Sequence, residues 1–302
     1  MIVVFGSLNM DFVFAMERLP VPGETGLARS FHALPGGKGA NQAVAAARAG
    51  ADVRMVGCVG RDGFGDALIA ALRDAGVTCH VERVETPSGC ASVCVDASGE
   101  NAIAVAPGAN LALRADMVSK NLLTPRSILL LQMEVPLEEN WRVLREAKAA
   151  GARTILNLAP AQAVPPEALD LVDVLVVNRL ELAMASQRPS DGAWDHRALA
   201  SLLARRHRLT CVVTLGAKGL FATDGADDRA LDAFPVEAVD TVGAGDTFCG
   251  VLAAALDAGA DLADGLRRAS VAAALACTRP GAQAAIPFAA QIEAALARDA
   301  RR

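Results

Sequence analysis

The run Asp240-Thr-Val-Gly-Ala-Gly-Asp-Thr-Phe248 is the segment of the chain best suited to chemistry. Gly243 and Gly245 allow a tight turn whose amides point into one small volume. An apolar helix is predicted over residues 248–256, and the amides and dipole at a helix N-terminus favour an anion. Asp246 falls in the first turn, where it could be a catalytic carboxylate or merely the helix N-cap.

A second glycine-rich run, Pro35-Gly-Gly-Lys-Gly-Ala-Asn-Gln-Ala43, precedes an Ala-rich helix that should end near Gly50. Its spacing fits neither a Walker A loop nor a G-x-G-x-x-G dinucleotide turn. Lys38 and Asn41 lie beside glycines that allow a ligand to approach the backbone. This arrangement suits the binding of hydroxyl groups, although a plain tight turn with a helix cap is the alternative.

Polar residues follow two of the predicted strands. Asn9 and Asp11 come after the apolar residues 2–5, and Glu134 follows residues 128–132. Ligands bind at the carboxyl edge of open α/β sheets, and carboxylates and amides can bond to neighbouring hydroxyls. Each of these residues alone is equally compatible with a turn or a cap.

Two further segments favour a nucleotide. Asn178 and Glu181 follow a predicted strand, and at i, i+3 they would share a face of the next helix. Such a pair could orient water on Mg²⁺ or phosphate oxygens, whereas a capping box is the structural alternative. The run Thr214-Leu-Gly-Ala-Lys-Gly219 is another turn from a strand into glycine, of the kind that lines a nucleotide.

The elements that must position these residues are short apolar runs alternating with amphipathic helical patterns. The runs are continuously apolar, as in a parallel sheet covered on both faces. Strands are predicted over residues 2–5, 53–58, 128–132, 154–158, 174–177 and 211–214, and helices over residues 66–75 and 137–150. The order predicts an α/β fold with a doubly wound, mainly parallel sheet flanked by helices.

Two segments break this alternation. Residues 12–31 are too rich in Pro and Gly for a helix, and residues 89–105 alternate in the manner of a strand. We predict that segments of about 12–34 and 89–106 form a small β-sheet that could serve as a lid. Both would belong to a single α/β domain over residues 1–302.

Composition excludes several classes of function. The chain has 302 residues and a net charge of −5, which does not favour nucleic acid or an anionic membrane. Its seven cysteines form no C-x-x-C pair, and only four histidines are present, so a zinc site has little support. The chain has no apolar run of the ~18 residues that span a bilayer. Scattered thiols and the absence of a signal-peptide pattern lead us to expect a soluble, cytoplasmic protein.

Taken together, these motifs resemble the ribokinase family of carbohydrate kinases, also called the PfkB family. The likeness runs nearly from end to end and includes Gly6-Ser-Leu-Asn-Met-Asp11, Pro107-Gly-Ala-Asn110 and Thr278-Arg-Pro-Gly-Ala-Gln283. The run that ends at Asp246 is the most specific motif. The resemblance implies an α/β domain whose small β lid closes over a sugar, and a homodimer formed through the lids.

The resemblance also implies that Asp246 is the general base that takes a proton from the sugar, most directly from the 5-hydroxyl of D-ribose, while ATP donates the phosphoryl group. The implied anion hole consists of the amides of Gly243, Ala244 and Gly245. The implied sugar contacts are Asn9, Asp11, Gly37, Lys38, Gly39, Asn41, Glu134 and Asp246. The implied ATP and Mg²⁺ positions are Asn178, Glu181, Thr214, Gly216, Lys218, Gly219, Gly245 and Ser270. The implied K⁺ positions are Asp240, Val242, Ala276, Arg279, Gly281 and Ala285.

Ser270 and Ala285 depart from the family pattern, because several members have a histidine near adenine and a serine in the cation loop. The nearest alternative function is phosphorylation of another sugar or of a nucleoside. A non-catalytic sugar-binding regulator would be expected to lack Asp246 or the glycine pair, and both are present. A nicotinamide-dependent oxidoreductase would need G-x-G-x-x-G after the first strand, where the chain has Gly6-Ser-Leu-Asn9.

Overall fold

The computed structural model describes residues 1–97, 100–188 and 194–299. The strands in these residues are β1 Ile2–Phe5, β2 Asn9–Met16, β3 Ala28–Gly36, β4 Val53–Gly60, β5 Thr78–Val84, β6 Gly89–Val95, β7 Asn101–Ala106, β8 Ile128–Leu131, β9 Arg153–Asn157, β10 Val174–Val177, β11 Thr210–Thr214, β12 Leu220–Thr223 and β13 Asp228–Leu231. The α-helices are α1 Lys38–Arg48, α2 Gly63–Asp74, α3 Leu137–Ala149, α4 Pro166–Leu169, α5 Arg179–Ala185, α6 His196–His207, α7 Ala244–Asp257, α8 Leu262–Ala276, α9 Ala282–Ala285 and α10 Ala289–Asp299.

The large sheet has nine strands in the order β13-β12-β11-β10-β9-β8-β1-β4-β5. The strands from β11 to β5 are parallel, and β12 and β13 continue the sheet in antiparallel fashion. Strand β1 pairs with β4 on one side and β8 on the other, so the chain winds outward in both directions. The carboxyl end of β1 is therefore the topological switch point at which such sheets bind ligands. This order confirms the predicted doubly wound sheet.

Helices cover both faces of the large sheet. Successive side chains of a strand point to opposite faces, so each strand contributes to two separate cores. Ile2 and Val4 of β1 belong to the core that includes Leu252 of α7. Val3 and Phe5 belong to the opposite core, which includes Trp141 of α3. Full burial of a large aliphatic or aromatic side chain contributes about 1.5–3 kcal/mol, so both layers stabilise the sheet strongly.

The small sheet has four strands in the order β3-β2-β6-β7. Two antiparallel hairpins, β2–β3 and β6–β7, are joined by the parallel pair β2–β6. A separate small sheet was predicted, and this is confirmed. The first segment is longer than the predicted 12–34, because pairing begins with Asn9 opposite Gly36. Asn9 and Asp11 therefore lie on β2 and not at the end of a strand of the large sheet.

Two helices begin earlier than the sequence predicted. Helix α2 begins at Gly63, ahead of the predicted residue 66, because the Asp62 carboxylate accepts a hydrogen bond from the amide of Gly65 at 2.8 Å. Helix α7 begins at Ala244, four residues before the predicted Phe248.

In the part of the chain that the structure describes, no helix is long and apolar enough to cross a membrane.

Candidate active site

Asp246 occupies the first turn of α7, but it is not the cap of that helix. The N-cap is Gly243, whose φ of 76° lies in the left-handed region that favours glycine. The Asp246 side chain is 6% exposed. One carboxylate oxygen, Oδ2, accepts from Nδ2 of Asn41 at 3.0 Å, and Oδ1 accepts from Nε2 of Gln42 at 3.1 Å. The N-cap interpretation of Asp246 is therefore wrong.

The turn before α7 presents amides to the same space. The amides of Gly243 and Gly245 make no hydrogen bond to any described residue, and the amide of Ala244 donates to the carbonyl of Thr241 at 3.3 Å. Two of the three predicted anion-hole amides are thus available. The amide of Ala244 would have to give up its long hydrogen bond to Thr241 before it could bind an anion oxygen. Helix α7 has 14 residues, and its dipole adds to the attraction for negative charge.

The ends of β1 and β8 meet the start of α1 through Glu134. Its Oε2 accepts from Oγ of Ser7 at 2.6 Å and from the amide of Lys38 at 3.0 Å. The amide of Gly39 donates to Oγ of Ser7 at 3.2 Å. A Cβ on Gly39 would lie 2.6 Å from the amide nitrogen of Ser7, so only glycine allows this approach. Three of the predicted sugar residues, Glu134, Lys38 and Gly39, are therefore brought together around Ser7 at the end of β1.

Asp11 adds a further carboxylate from the small sheet. Its burial, together with the charges of Glu134 and Asp246, raises its pKa to about 7, although Lys38 opposes the shift. The pKa of Lys38 is raised, chiefly by Asp246. Among the described residues, Asp11 has no hydrogen-bond partner. Its carboxylate is therefore free to accept from a ligand, next to the single cation of this cluster.

Asn110 fixes the orientation of Asn9. Its Nδ2 donates to Oδ1 of Asn9 at 2.7 Å and to the carbonyl of Leu8 at 3.1 Å, while its Oδ1 accepts from the amide of Leu8 at 2.9 Å. Because Oδ1 of Asn9 is taken, its Nδ2 is left as the donor for a ligand. The sequence singled out the Pro107–Asn110 motif but gave Asn110 no role.

The predicted nucleotide pair Asn178 and Glu181 forms a capping box at the start of α5. The Asn178 side chain accepts from the amide of Glu181 at 2.9 Å, and the amide of Asn178 donates to Oε2 of Glu181 at 2.7 Å. The capping alternative is confirmed, and the nucleotide role stays a prediction. Glu181 is buried; burial raises its pKa, while the Asn178 amide and the charge of Lys38 lower it.

The other predicted nucleotide residues lie on separate elements. Thr214 ends β11, and Oγ1 of Thr214 donates to the carbonyl of Val177 at 3.3 Å. A 3₁₀ turn over Gly216–Lys218 follows, and Gly219 has a φ of 83°. Ser270 is half-buried on α8 and makes no hydrogen bond to another predicted site residue in the described part of the chain.

Three of the six predicted cation positions, Asp240, Val242 and Gly281, form a junction between two segments. Oδ1 of Asp240 accepts from the amide of Val242 at 2.9 Å, and Oδ2 accepts from the amide of Gly281 at 2.8 Å. Of the other predicted positions, Ala276 and Ala285 are buried and Arg279 is exposed. No group of three His, Cys, Asp or Glu within the described residues could hold a metal ion. Any cation here would depend mainly on backbone carbonyls.

Three buried amides at the site were missed from the sequence. Nε2 of Gln42 donates to Oδ1 of Asn157 at 3.1 Å, and Nε2 of Gln132 donates to Oε1 of Gln42 at 2.7 Å. Gln132 directly follows β8, and Asn157 is the last residue of β9. A polar residue at the end of an apolar run was the sequence signal that could have identified Gln132 and Asn157. Gln42, within an Ala-rich helix, offered none.

Comparison with known proteins agrees with this geometry. The family described as pfkB family carbohydrate kinase matches residues 1–289. The chain is 38% identical to the ribokinase of Bacillus subtilis strain 168, over 97% of this chain and 98% of that protein. It superposes on the crystal structure of a Thermotoga maritima ribokinase with a TM-score of 0.91 and 35% identity, covering 98% and 99% of the two chains.

A third similar protein is an Arabidopsis thaliana ribokinase, whose structure is a complex with ribose and ATP. It has a TM-score of 0.88 and 32% identity to this chain, with 98% of both chains covered. The chain described here belongs to the pfkB family of carbohydrate kinases. It is an ATP-dependent carbohydrate kinase, and the family predicted from the sequence is confirmed.

Proposed function

We propose that this kinase transfers the γ-phosphoryl group of ATP to the 5-hydroxyl of D-ribose, giving ribose 5-phosphate and ADP. The observation that carries the proposal is the buried Asp246 carboxylate, held by two amides beside the available amides of the α7 N-terminus. The likeness to proteins named ribokinase, one of them in complex with ribose and ATP, supports the choice of sugar.

In this mechanism Asp246 accepts the proton of the 5-hydroxyl while that oxygen attacks the γ-phosphorus and the bond to ADP breaks. General-base catalysis of this kind contributes roughly 10²–10⁴ in rate. Phosphoryl transfer depends on positioning and on stabilisation of the charge spread over the equatorial oxygens. The amides of Gly243 and Gly245, and that of Ala244 after exchange, would supply this stabilisation.

The sugar would lie between the two sheets. Asp11 would accept hydrogen bonds from its hydroxyls, and Nδ2 of Asn9 would donate. Lys38, Asn41, Glu134 and the glycine backbone at 37–39 would complete the pocket. In a single catalytic domain over residues 1–302, the small sheet would act as a lid whose closure excludes water.

Two ions belong to the proposal. Mg²⁺ would be associated with Asn178 and Glu181; its oxygen preference suits the buried Glu181 carboxylate, and when bound it would neutralise phosphate charge. K⁺ would lie at the junction of Asp240 with Gly281, where two segments are already joined by a hydrogen bond of 2.8 Å. Bound there, it would hold the turn that carries Gly243 without touching the sugar.

A homodimer through the small sheets is also proposed. The small sheet exposes large apolar side chains on its two outer strands: Phe31 is 52% exposed, Ile103 55% and Val105 50%. Such residues on an edge favour a protein partner.

The location and the excluded partners rest on composition. All seven cysteines are free thiols, which supports a cytoplasmic location. The net charge of −5 favours neither a nucleic acid nor a membrane partner.

A coupled assay of ADP release tests the choice of sugar. D-ribose, 2-deoxy-D-ribose, D-fructose and adenosine are compared by kcat/KM, with the Asp246→Asn variant as a control for contaminating kinases. D-ribose should be the best acceptor. If another acceptor exceeds it by about tenfold, the ribose assignment fails and the kinase acts on a different sugar or a nucleoside.

A further inference from the structure

Gln42 connects the catalytic turn with the ends of two central strands. It is fully buried, at 0% exposed, on helix α1. Its Nε2 donates to Oδ1 of Asp246 on α7 and to Oδ1 of Asn157 on β9, both at 3.1 Å. Its Oε1 accepts from Nε2 of Gln132, after β8, at 2.7 Å. Four elements therefore meet at one side-chain amide.

The orientation of this amide is fixed by its partners. An ionised Asp246 can only accept hydrogen bonds, so the NH₂ group of Gln42 must face it. Gln132 then donates to the oxygen on the other side. Helices α1 and α7 also approach closely, since a Cβ on Gly250 would lie 2.4 Å from the backbone carbonyl of Gln42. The donor is therefore held in place by both side-chain and backbone contacts.

The two amides on Asp246 differ in what else they contact. Asn41 holds Oδ2, and its own Oδ1 is buried with no partner in the described residues. The oxygen of Asn41 can therefore accept from a sugar hydroxyl, and its NH₂ group can give up the bond to Asp246 when a ligand binds. Gln42 uses both of its N–H groups and its oxygen within the protein, so its bond to Oδ1 persists.

We infer that Gln42 is the positioning residue of the catalytic base: it holds Oδ1 of Asp246 so that Oδ2 takes the proton of the acceptor hydroxyl. Gln42 contacts neither substrate; it acts only through Asp246. The inference rests on the proposed role of Asp246 as base. Small displacements of a reacting group can cost about 10²-fold in rate, so the effect should appear in kcat.

The test compares Gln42→Met, which keeps the length of the side chain, with Asn140→Leu. Asn140 is also a fully buried amide, and it donates to the carbonyl of Gln132 at 2.7 Å without contacting Asp246. Kinetics with the best acceptor of the panel and thermal melting are measured for both variants. We expect Gln42→Met to lower kcat by roughly 10–100-fold with both KM values within about twofold. Asn140→Leu should lower the melting temperature but keep kcat within about twofold.

Gln42→Glu is a second variant of nearly the same size, which keeps an acceptor for Gln132 but removes the NH₂ group; its kcat should fall at least as far. It decides the matter if Gln42→Met does not fold. A folded Gln42 variant with more than half of the wild-type kcat overturns the inference, as does an equal loss of kcat in Asn140→Leu. Asp246→Asn is measured alongside. If Asp246→Asn is inactive and a folded Gln42 variant is active, only the inference fails; an active Asp246→Asn removes the proposed mechanism itself.

Discussion

The two aspartates of the pocket have opposite surroundings. Asp246, beside the large sheet, is 6% exposed and accepts hydrogen bonds from two amides. Asp11, on the small sheet, has no partner among the described residues, and its pKa is raised to about 7 by burial and by the charges of Glu134 and Asp246. One carboxylate is held in place before any ligand binds, whereas the other lacks a donor until one does.

The difference indicates how the work of the pocket is divided. A group that acts in the transition state gains from donors already in place, because no reorganisation is then needed at the moment of reaction. A group that only binds substrate can be left unpaired, since the substrate supplies the missing donor. The comparison therefore predicts that changes at Asp246 affect mainly kcat, while changes at Asp11 affect mainly sugar affinity.

The largest effect should come from Asp246→Asn. Asparagine has nearly the same shape but cannot take a proton, so kcat should fall by roughly 10²–10⁴. The fold should survive, because Oδ1 of Asn41 has no partner in the described part of the chain and its amide can turn to accept from the new amide. Steady-state rates and thermal melting check this. A variant that melts normally and keeps more than half of kcat would contradict a role in proton transfer.

Asp11→Asn should weaken sugar binding by roughly tenfold to a hundredfold, because one charge-assisted hydrogen bond contributes about 1.5–3 kcal/mol. Its effect on kcat should be much smaller than that of Asp246→Asn. Isothermal titration with D-ribose gives the Kd, and saturating kinetics give kcat. Equal losses of kcat in the two variants would remove the proposed division between the two sides.

The pH dependence of sugar binding should come from Asp11. With a pKa of about 7, this carboxyl is mostly protonated at pH 6 and mostly ionised at pH 8. Binding that requires the ionised form should therefore strengthen as the pH rises, with Kd at pH 6 higher than at pH 8 by up to about tenfold. Titrations at both pH values check this, and Asp11→Asn is the control, in which the dependence should largely disappear.

Exchange of sodium for potassium at constant ionic strength should have the smallest effect, a rise of a few-fold in kcat. The proposed cation junction at Asp240 and Gly281 adjoins the turn that carries Gly243, whereas Asp11 lies on the small sheet. The Kd for sugar should therefore stay the same in both salts. Equal kcat values in the two salts would count against the cation site.

The sequence predicted elements well where burial is uniform. Strands β1 and β10 were predicted with their observed bounds, because each is apolar throughout and buried on both faces. Strand β5 was missed, since its residues alternate in exposure at the edge of the large sheet. The start of β2 was missed because polar Asn9 and Asp11 are typical of a loop, and only pairing with β3 and β6 makes them a strand.

Within the site, recognition of motifs went further than interpretation of single residues. The structure brings Asp246, Asn41 and the glycine turn together as the motifs implied. It also replaces Asp246 by Gly243 as the N-cap, which depends on a backbone angle that sequence does not display. Gln42 could not have been found, because its role depends on Asn157 and Asp246, which are 115 and 204 residues away along the chain.

The way in which the chain passes between the two sheets has a consequence for divergence. The small sheet consists of two inserted hairpins, and Asn110 binds the backbone of Leu8 where the first of them leaves the large sheet. Met10 of β2 is buried in the same core as Phe248 of α7, whereas Asp11 lies outside that core and faces the pocket. Divergence in acceptor preference is therefore expected first at pocket-facing positions of the hairpins, such as Asp11, because they can change without repacking α7.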